Sequence, residues 1–132
     1  MPAKVLDSHA LMAFFENEPG ADVVRGLLLK AEEGNLTLLM SVVNLGEVWY
    51  SIARTNTAET ADQYVDDIRG MAIEIVDADW RLTRQAGAFK ATGNIAYADC
   101  FAAALARDRK AELVTGDQEF KALEGKIRIQ WL

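Results

Sequence analysis

The stretch LVTGDQEF, residues 113–120, is a short apolar run that passes through Thr115 and Gly116 and then presents a carboxylate, Asp117. KVLDSHAL, residues 4–11, does almost the same near the other end of the chain, where an apolar run ends on Asp7. Two strands that each finish on an aspartate decide how the residues between them are read. Further apolar runs of strand length occur at 36–40, 73–76 and 127–132. Between the runs, apolar residues recur at helical spacing: Ala10, Leu11, Phe14 and Phe15; Val23, Val24, Leu27 and Leu28; Leu45, Val48, Trp49, Ile52 and Ala53. Segments 57–71 and 79–92 are amphipathic, with Asp79 placed to cap the second and Gly93 to stop it. Segment 96–109 is alanine-rich and ends on Arg107, Arg109 and Lys110, cations that suit the negative end of a helix dipole. Strands alternating with helices predict an α/β fold, a single Rossmann-like domain over residues 1–132 with a central, mainly parallel sheet flanked by helices. Parallel strands present their C-terminal ends on one edge, where open α/β sheets bind ligands, so Asp7 and Asp117 are expected to face one cleft.

Bulk properties narrow the function classes. A chain of 132 residues with 51% hydrophobic content can bury a core without disulfides or structural metals. Cys100 is the only cysteine and has no internal partner, which suits a reducing cytoplasm. MPAKVLDS lacks the apolar core of a signal peptide, so none is expected. No apolar run approaches the ~18–20 residues of a membrane span. The net charge of −6 argues against a broad basic surface for nucleic acid. It leaves a metal-dependent nuclease open, because such a site is itself acidic and bound cations reverse the local sign. It also suits a basic partner peptide.

Two more carboxylates stand out. In SVVNLGEVWYSIAR, residues 41–54, Glu47 borders the apolar side of a helix, and Asn44 lies one turn before it, within reach of its carboxylate or of a water. In NIAYADCFAAALARD, residues 94–108, Asp99 shares a face with Ala102, Ala103 and Ala106. A charge on such a close-packing face is costly unless it is paired or holds an ion. The helix dipole contributes under ~1 kcal/mol in most settings, too little to offset that cost. No lysine or arginine adjoins Asp7, Glu47 or Asp99 in sequence, and carboxylates that converge raise one another's pKa. A hard divalent cation resolves the conflict: Mg²⁺, with Mn²⁺ as substitute. The chemistry this suggests is phosphodiester hydrolysis.

Each acid also has an ordinary explanation. Asp7 and Asp117 can cap the turns that follow them, Glu47 can be solvated, and Asp99 can be a dipole partner. Taken jointly these explanations must cover two strand-end aspartates and a carboxylate on an alanine face. Glu59, Asp62, Asp66 and Asp67 read as solvent-facing. His9 is the only histidine, and no G-x-S-x-G turn supports a serine hydrolase built on it. One histidine and one cysteine make a zinc site improbable, and the phosphate-binding glycine patterns are absent. Trp49, Trp80 and Trp131 read as core or interface residues. Arg81, Arg84 and Lys90 read as a solvated basic face more readily than as phosphate contacts. Thr115 is either a strand-end residue or a hydroxyl that orients a water.

VLDSHAL at 5–11, SVVNLGEVWYSIAR at 41–54, YADCFAAALA at 97–106 and LVTGDQEF at 113–120 together resemble the PIN-domain ribonucleases, specifically the VapC-type toxins of VapBC toxin–antitoxin pairs. Their order and spacing, across nearly the whole chain, carry the resemblance. It implies a compact PIN domain and Mg²⁺- or Mn²⁺-dependent endoribonuclease activity. By motif position Asp7, Glu47 and Asp99 would be the core metal-binding acids, Asp117 a more variable fourth, and Thr115 the accompanying hydroxyl. It further implies an RNA substrate, a homodimer, and assembly with a cognate VapB-type antitoxin that often inserts an arginine into the acidic cleft. His9 departs from the small hydroxyl residue often found at that position, and a supporting role in RNA binding is the most expected of it. Three alternatives stand beside this reading: a catalytically silent PIN-like binding module, a receiver-type phospho-accepting domain, and a nuclease of structured DNA. The receiver reading has only Asp77 in its favour. The DNA reading wants insertions this chain lacks.

Overall fold

The computed structural model describes all 132 residues, Met1–Leu132. Five strands form one sheet: β1 (Ala3–Leu6), β2 (Thr37–Ser41), β3 (Ile73–Val76), β4 (Glu112–Thr115) and β5 (Ile129–Trp131). All neighbours pair in parallel, in the spatial order β3-β2-β1-β4-β5. The helices are α1 (Ser8–Phe15), α2 (Ala21–Glu32), α3 (Val42–Thr55), α4 (Ala58–Arg69), α5 (Trp80–Ala91) and α6 (Tyr97–Asp108), and a 3-10 turn, Gln118–Leu123, links β4 to β5. The chain leaves β1 in the direction of β2 and β3, then returns to lay β4 along the other side of β1. The crevice above β1 and β4 is therefore the topological switch point at which open α/β sheets take ligands.

Strand side chains alternate between two cores. Val5, Leu39 and Leu113 enter the one under α5 and α6, while Leu6, Leu38, Met40 and Val114 enter the one under α1 to α4. Burial on both faces is why these strands read as unbroken apolar runs. β3 spans 73–76 as expected, and the ends of β2, β4 and β5 differ from the sequence reading by a residue or two. Ser41 closes β2 and its hydroxyl then accepts from the Val43 N–H, so one residue ends a strand and caps α3. The last strand is shorter than 127–132, because the Ile127 N–H is drawn back to the Leu123 carbonyl that closes the 3-10 turn. Asp79 caps α5 through the Leu82 N–H, as its position suggests. Trp80, read as core or interface, instead stands 74% exposed. Trp49 is half-buried and donates its indole N–H to Asp62.

In α6 every residue from Asp99 to Ala106 is buried, against α5, α3 and the central strands. Small side chains let the helix lie close on the sheet. Ala103→Leu is expected to overfill that contact and cost about 1–3 kcal/mol. Urea unfolding checks this, and an unchanged midpoint would show the packing to be slack.

Candidate active site

Asp7 follows β1 and begins α1. Its Oδ1 accepts from the Ala10 N–H at 2.8 Å, and its Oδ2 accepts from the Thr115 hydroxyl at 2.5 Å. Both the capping reading and the cleft reading of Asp7 therefore hold at once. The second bond exists because Leu6 is in register with Val114, so the ends of β1 and β4 lie side by side. Burial pushes the Asp7 carboxyl up to about 6, against the lowering pull of the Thr115 and Ala10 bonds and of nearby His9. Thr115 is fully buried and also accepts from the Asp117 N–H at 3.0 Å. Its proton is committed to Asp7, so the hydroxyl ties two acids together rather than offering that proton to a water.

Asp117 caps the 3-10 turn through the Glu119 N–H at 3.0 Å. That turn brings round a carboxylate the sequence reading missed. Oxygens of Asp99, Asp117 and Glu119 all lie within 4.8 Å of one another. The available signal was the spacing D-x-E after β4, where an aspartate cap makes the chain turn tightly enough for both side chains to rise on one side. Asp99, only 8% exposed, comes up from the first turn of α6. Its carboxyl is pushed up to about 8, first by burial, then by the charges of Asp117 and Glu47, by a hydrogen bond with Glu119, and by Asp7.

Glu47 rises from α3, half-buried. Ser8 donates to its Oε1 at 3.1 Å and Asn44 Nδ2 donates to the same oxygen at 2.8 Å. Asn44 is wholly buried, and its Nδ2 also donates to the Ala98 carbonyl beside Asp99. These two acceptors fix the amide, leaving Oδ1 as a buried oxygen without a partner. His9 lies at the rim. Its Nδ1 accepts from the Gly116 N–H at 3.3 Å, and a Cβ at position 116 would stand 2.4 Å from the ring. Glycine at 116 lets the imidazole cover the loop between Thr115 and Asp117. Asp77 is exposed beyond the edge strand β3, with β2 between that strand and β1, so the one feature favouring a receiver-type site lies away from the acids.

No ion pair reaches Asp7, Glu47, Asp99, Asp117 or Glu119. The set thus fits a hard divalent cation on chemical grounds. Its donors are all oxygens, three of them converge, and Asp99 among these is pushed up to about 8 by burial and by the neighbouring carboxylates.

The PIN-domain family profile matches residues 4–126. The chain belongs to the PIN-domain family. Solved structures agree in fold. A VapBC2 complex from Rickettsia felis bound to a promoter DNA fragment matches with a TM-score of 0.76 at 21% identity, over 98% of both chains. DNA-bound VapBC from Salmonella typhimurium matches at 0.73 and 22% identity, again over 98% of both. VapC20 from Mycobacterium tuberculosis, described as a sarcin–ricin loop cleaving toxin, matches at 0.72 and 15% identity, over 94% of this chain and 95% of that one. No curated protein sequence matches this PIN domain significantly.

Two outcomes are expected for the metal-free protein. Thr115→Val strands both the Asp7 oxygen and the Asp117 N–H, and should cost about 1–3 kcal/mol in urea unfolding. The folded Asp99 pKa, about 8, lies above its ordinary 3.8. Between those values the unfolded chain has lost a proton that the folded protein keeps. Stability therefore falls as pH rises through that window and is unaffected below it. Melting temperature should drop from about pH 5 to pH 8, with Asp7 adding the same sign in the lower part. Asp99→Asn should flatten the slope; an equally steep variant would exclude Asp99 as its source.

Proposed function

We propose that this PIN domain is a metal-dependent endoribonuclease, the toxin half of a type II toxin–antitoxin pair. The observation that carries the reading is Asp99, a buried acid with its carboxylate oxygens beside those of Asp117 and Glu119 and no cation to balance them. Family membership supports it, as do the toxin–antitoxin complexes among the structures of the same fold.

Asp99, Asp117 and Glu119 would hold Mg²⁺, or Mn²⁺ in its place, with Asp7 and Glu47 adding charge from the two sides. A cation bound there supplies activation of water and offsets negative charge on the phosphodiester. In the hydrolysis, a water oxygen bonds to phosphorus and gives up a proton to Glu47 or to solvent, the bond to the leaving oxygen breaks, and that oxygen takes a proton from solvent. Glu47 is oriented by Ser8 and Asn44 through Oε1 alone, which frees Oε2 to accept from a water. Asp7, locked by Ala10 and Thr115, contributes its charge from a fixed position. His9 covers the loop and lies beside the path RNA would take to the acids. A cognate VapB-type antitoxin would silence the site most directly by placing an arginine among these carboxylates, and a homodimer is the expected form of the toxin. The cytoplasm is the compartment that supplies RNA.

The test uses protein freed of any partner and an RNA pool, with Mn²⁺, with EDTA, and as Asp99→Asn. Cleavage is expected only for the wild type with Mn²⁺. The variant should lose at least the ~100-fold that even an outer-shell change at a metal site can cause. Isothermal titration of Mn²⁺ into Glu119→Gln should show weakened binding if Glu119 is a ligand. A folded wild type that neither binds Mn²⁺ nor cleaves RNA would replace this reading with that of a silent binding module.

A further inference from the structure

Two hollows of the molecule lie side by side away from the acid site. One, of about 350 Å³, is lined by Arg107, Lys110, Lys126 and Arg128, with Glu124 the only carboxylate. The next, of about 450 Å³, is lined by Arg84, Arg107 and Lys126 and contains no acid. Arg107 and Lys126 line both, so the two adjoin along α5, the end of α6 and the loop before β5 and are treated together as one groove. Five cations face one carboxylate there, in a chain with 14 basic and 20 acidic residues. We propose that this groove is the track for the backbone of a single-stranded RNA leading to the acid site, an inference that rests on the ribonuclease reading above.

None of the five cations is in an ion pair, whereas Arg25, Arg81 and Arg109 each hold a carboxylate. The pairing of Arg81 with Asp108 and the bond from Lys90 to the Ile95 carbonyl leave Arg84 as the free member of the basic face read from the sequence. The groove is also held in shape. The Arg107 guanidinium stands 5.8 Å from the Phe89 ring centroid, and Arg128 donates to the Lys110 carbonyl at 2.7 Å. Lys110 itself sits in the left-handed region, at φ 52°, where the chain turns from α6 into β4. Exposed cations with unused donors, strung along two hollows in series, suit a repeating phosphate chain better than one small anion, which wants converging donors.

Position supplies the link to catalysis. The groove runs up α5 to Thr92, where the chain enters the short connection that delivers α6 and Asp99. From Arg107 back to Asp99 is about 12 Å at the rise of ~1.5 Å per helical residue, or roughly four nucleotides at ~3.4 Å stacked spacing.

The test measures RNA binding apart from cleavage. A fluorescein-labelled single-stranded RNA of about 15 nucleotides is titrated with protein in EDTA, at several salt concentrations. Arg84→Glu with Lys126→Glu changes two exposed, unpaired side chains, and melting temperature confirms the fold. Lys30→Glu with Arg69→Glu makes the same charge change elsewhere on the surface. The groove pair is expected to weaken binding at least tenfold and to lower the salt slope by about 1.4, the ~0.7 per phosphate contact of single strands taken twice. The control pair should bind within about twofold of wild type. Equal losses in both pairs, or none in the groove pair, would overturn the proposal, and the second result would leave the groove to an acidic protein segment. A wild type that binds no RNA overturns it too. A wild type that binds through the groove yet cleaves nothing with Mn²⁺ would instead remove the ribonuclease reading and keep the groove.

Discussion

Carboxylate repulsion at the β1–β4 switch point is the constraint around which the upper edge of the sheet is organised. Three of the acids there are held by neutral donors. Asp7 has a helix N–H and a threonine hydroxyl, Glu47 has a serine and an amide, and Asp117 has the N–H of its own turn. Neutral donors orient a carboxylate and lower its desolvation cost, but they do not cancel charge. Burial first, and then the charges of Asp117 and Glu47, push the Asp99 carboxyl up to about 8. A site stable without a cation would have replaced one of these acids with an amide or added an arginine. Short of protonation, a bound cation or a partner's charge would relieve the imbalance.

That arrangement explains which parts were legible in the sequence. Asp7 and Asp117 were readable because strand-end position is local information, and a parallel sheet brings all such ends to one edge. Asp99 was readable because an alanine face has no ordinary use for a charge. Glu119 was not, because its place depends on how tightly the chain turns after Asp117, and that tightness comes from a cap bond invisible in spacing alone. Thr115 was ambiguous for a related reason. Whether a strand-end hydroxyl donates to a water or to a neighbour depends on the β1–β4 register, and that register puts Asp7 beside it. Trp80 is not a core residue, because amphipathic spacing fixes which residues share a face but not how far the neighbouring layer extends to cover it.

The net charge is legible only as a total. A total of −6 argues correctly against a basic surface on average, yet it is a sum over opposite fields. Acids collect at the C-terminal edge of the sheet and along α4, while unpaired cations collect beside α5 and the far end of α6. Within a Debye length of about 10 Å, a ligand responds to the local sign rather than to the total. Composition therefore bounds solubility and long-range attraction but says little about a groove a few residues wide.

Helix α6 joins these two fields. Its first turn carries Asp99 and its last carries Arg107, so each charge lies at the dipole end that favours it. That agreement is worth about 0.3–1 kcal/mol at an exposed end and explains why neither residue disrupts the helix. It does not explain why Asp99 is buried among other acids or why Arg107 has no carboxylate partner when Asp108, next to it, holds Arg81. The helix thus carries an acid at one end and an unpaired cation at the other on one rigid element. A polyanion can be held by its phosphates at one end and meet a cation-loaded carboxylate cluster at the other only if the spacing between them is fixed. A helix buried from Asp99 to Ala106 and packed on the sheet is a means of fixing it.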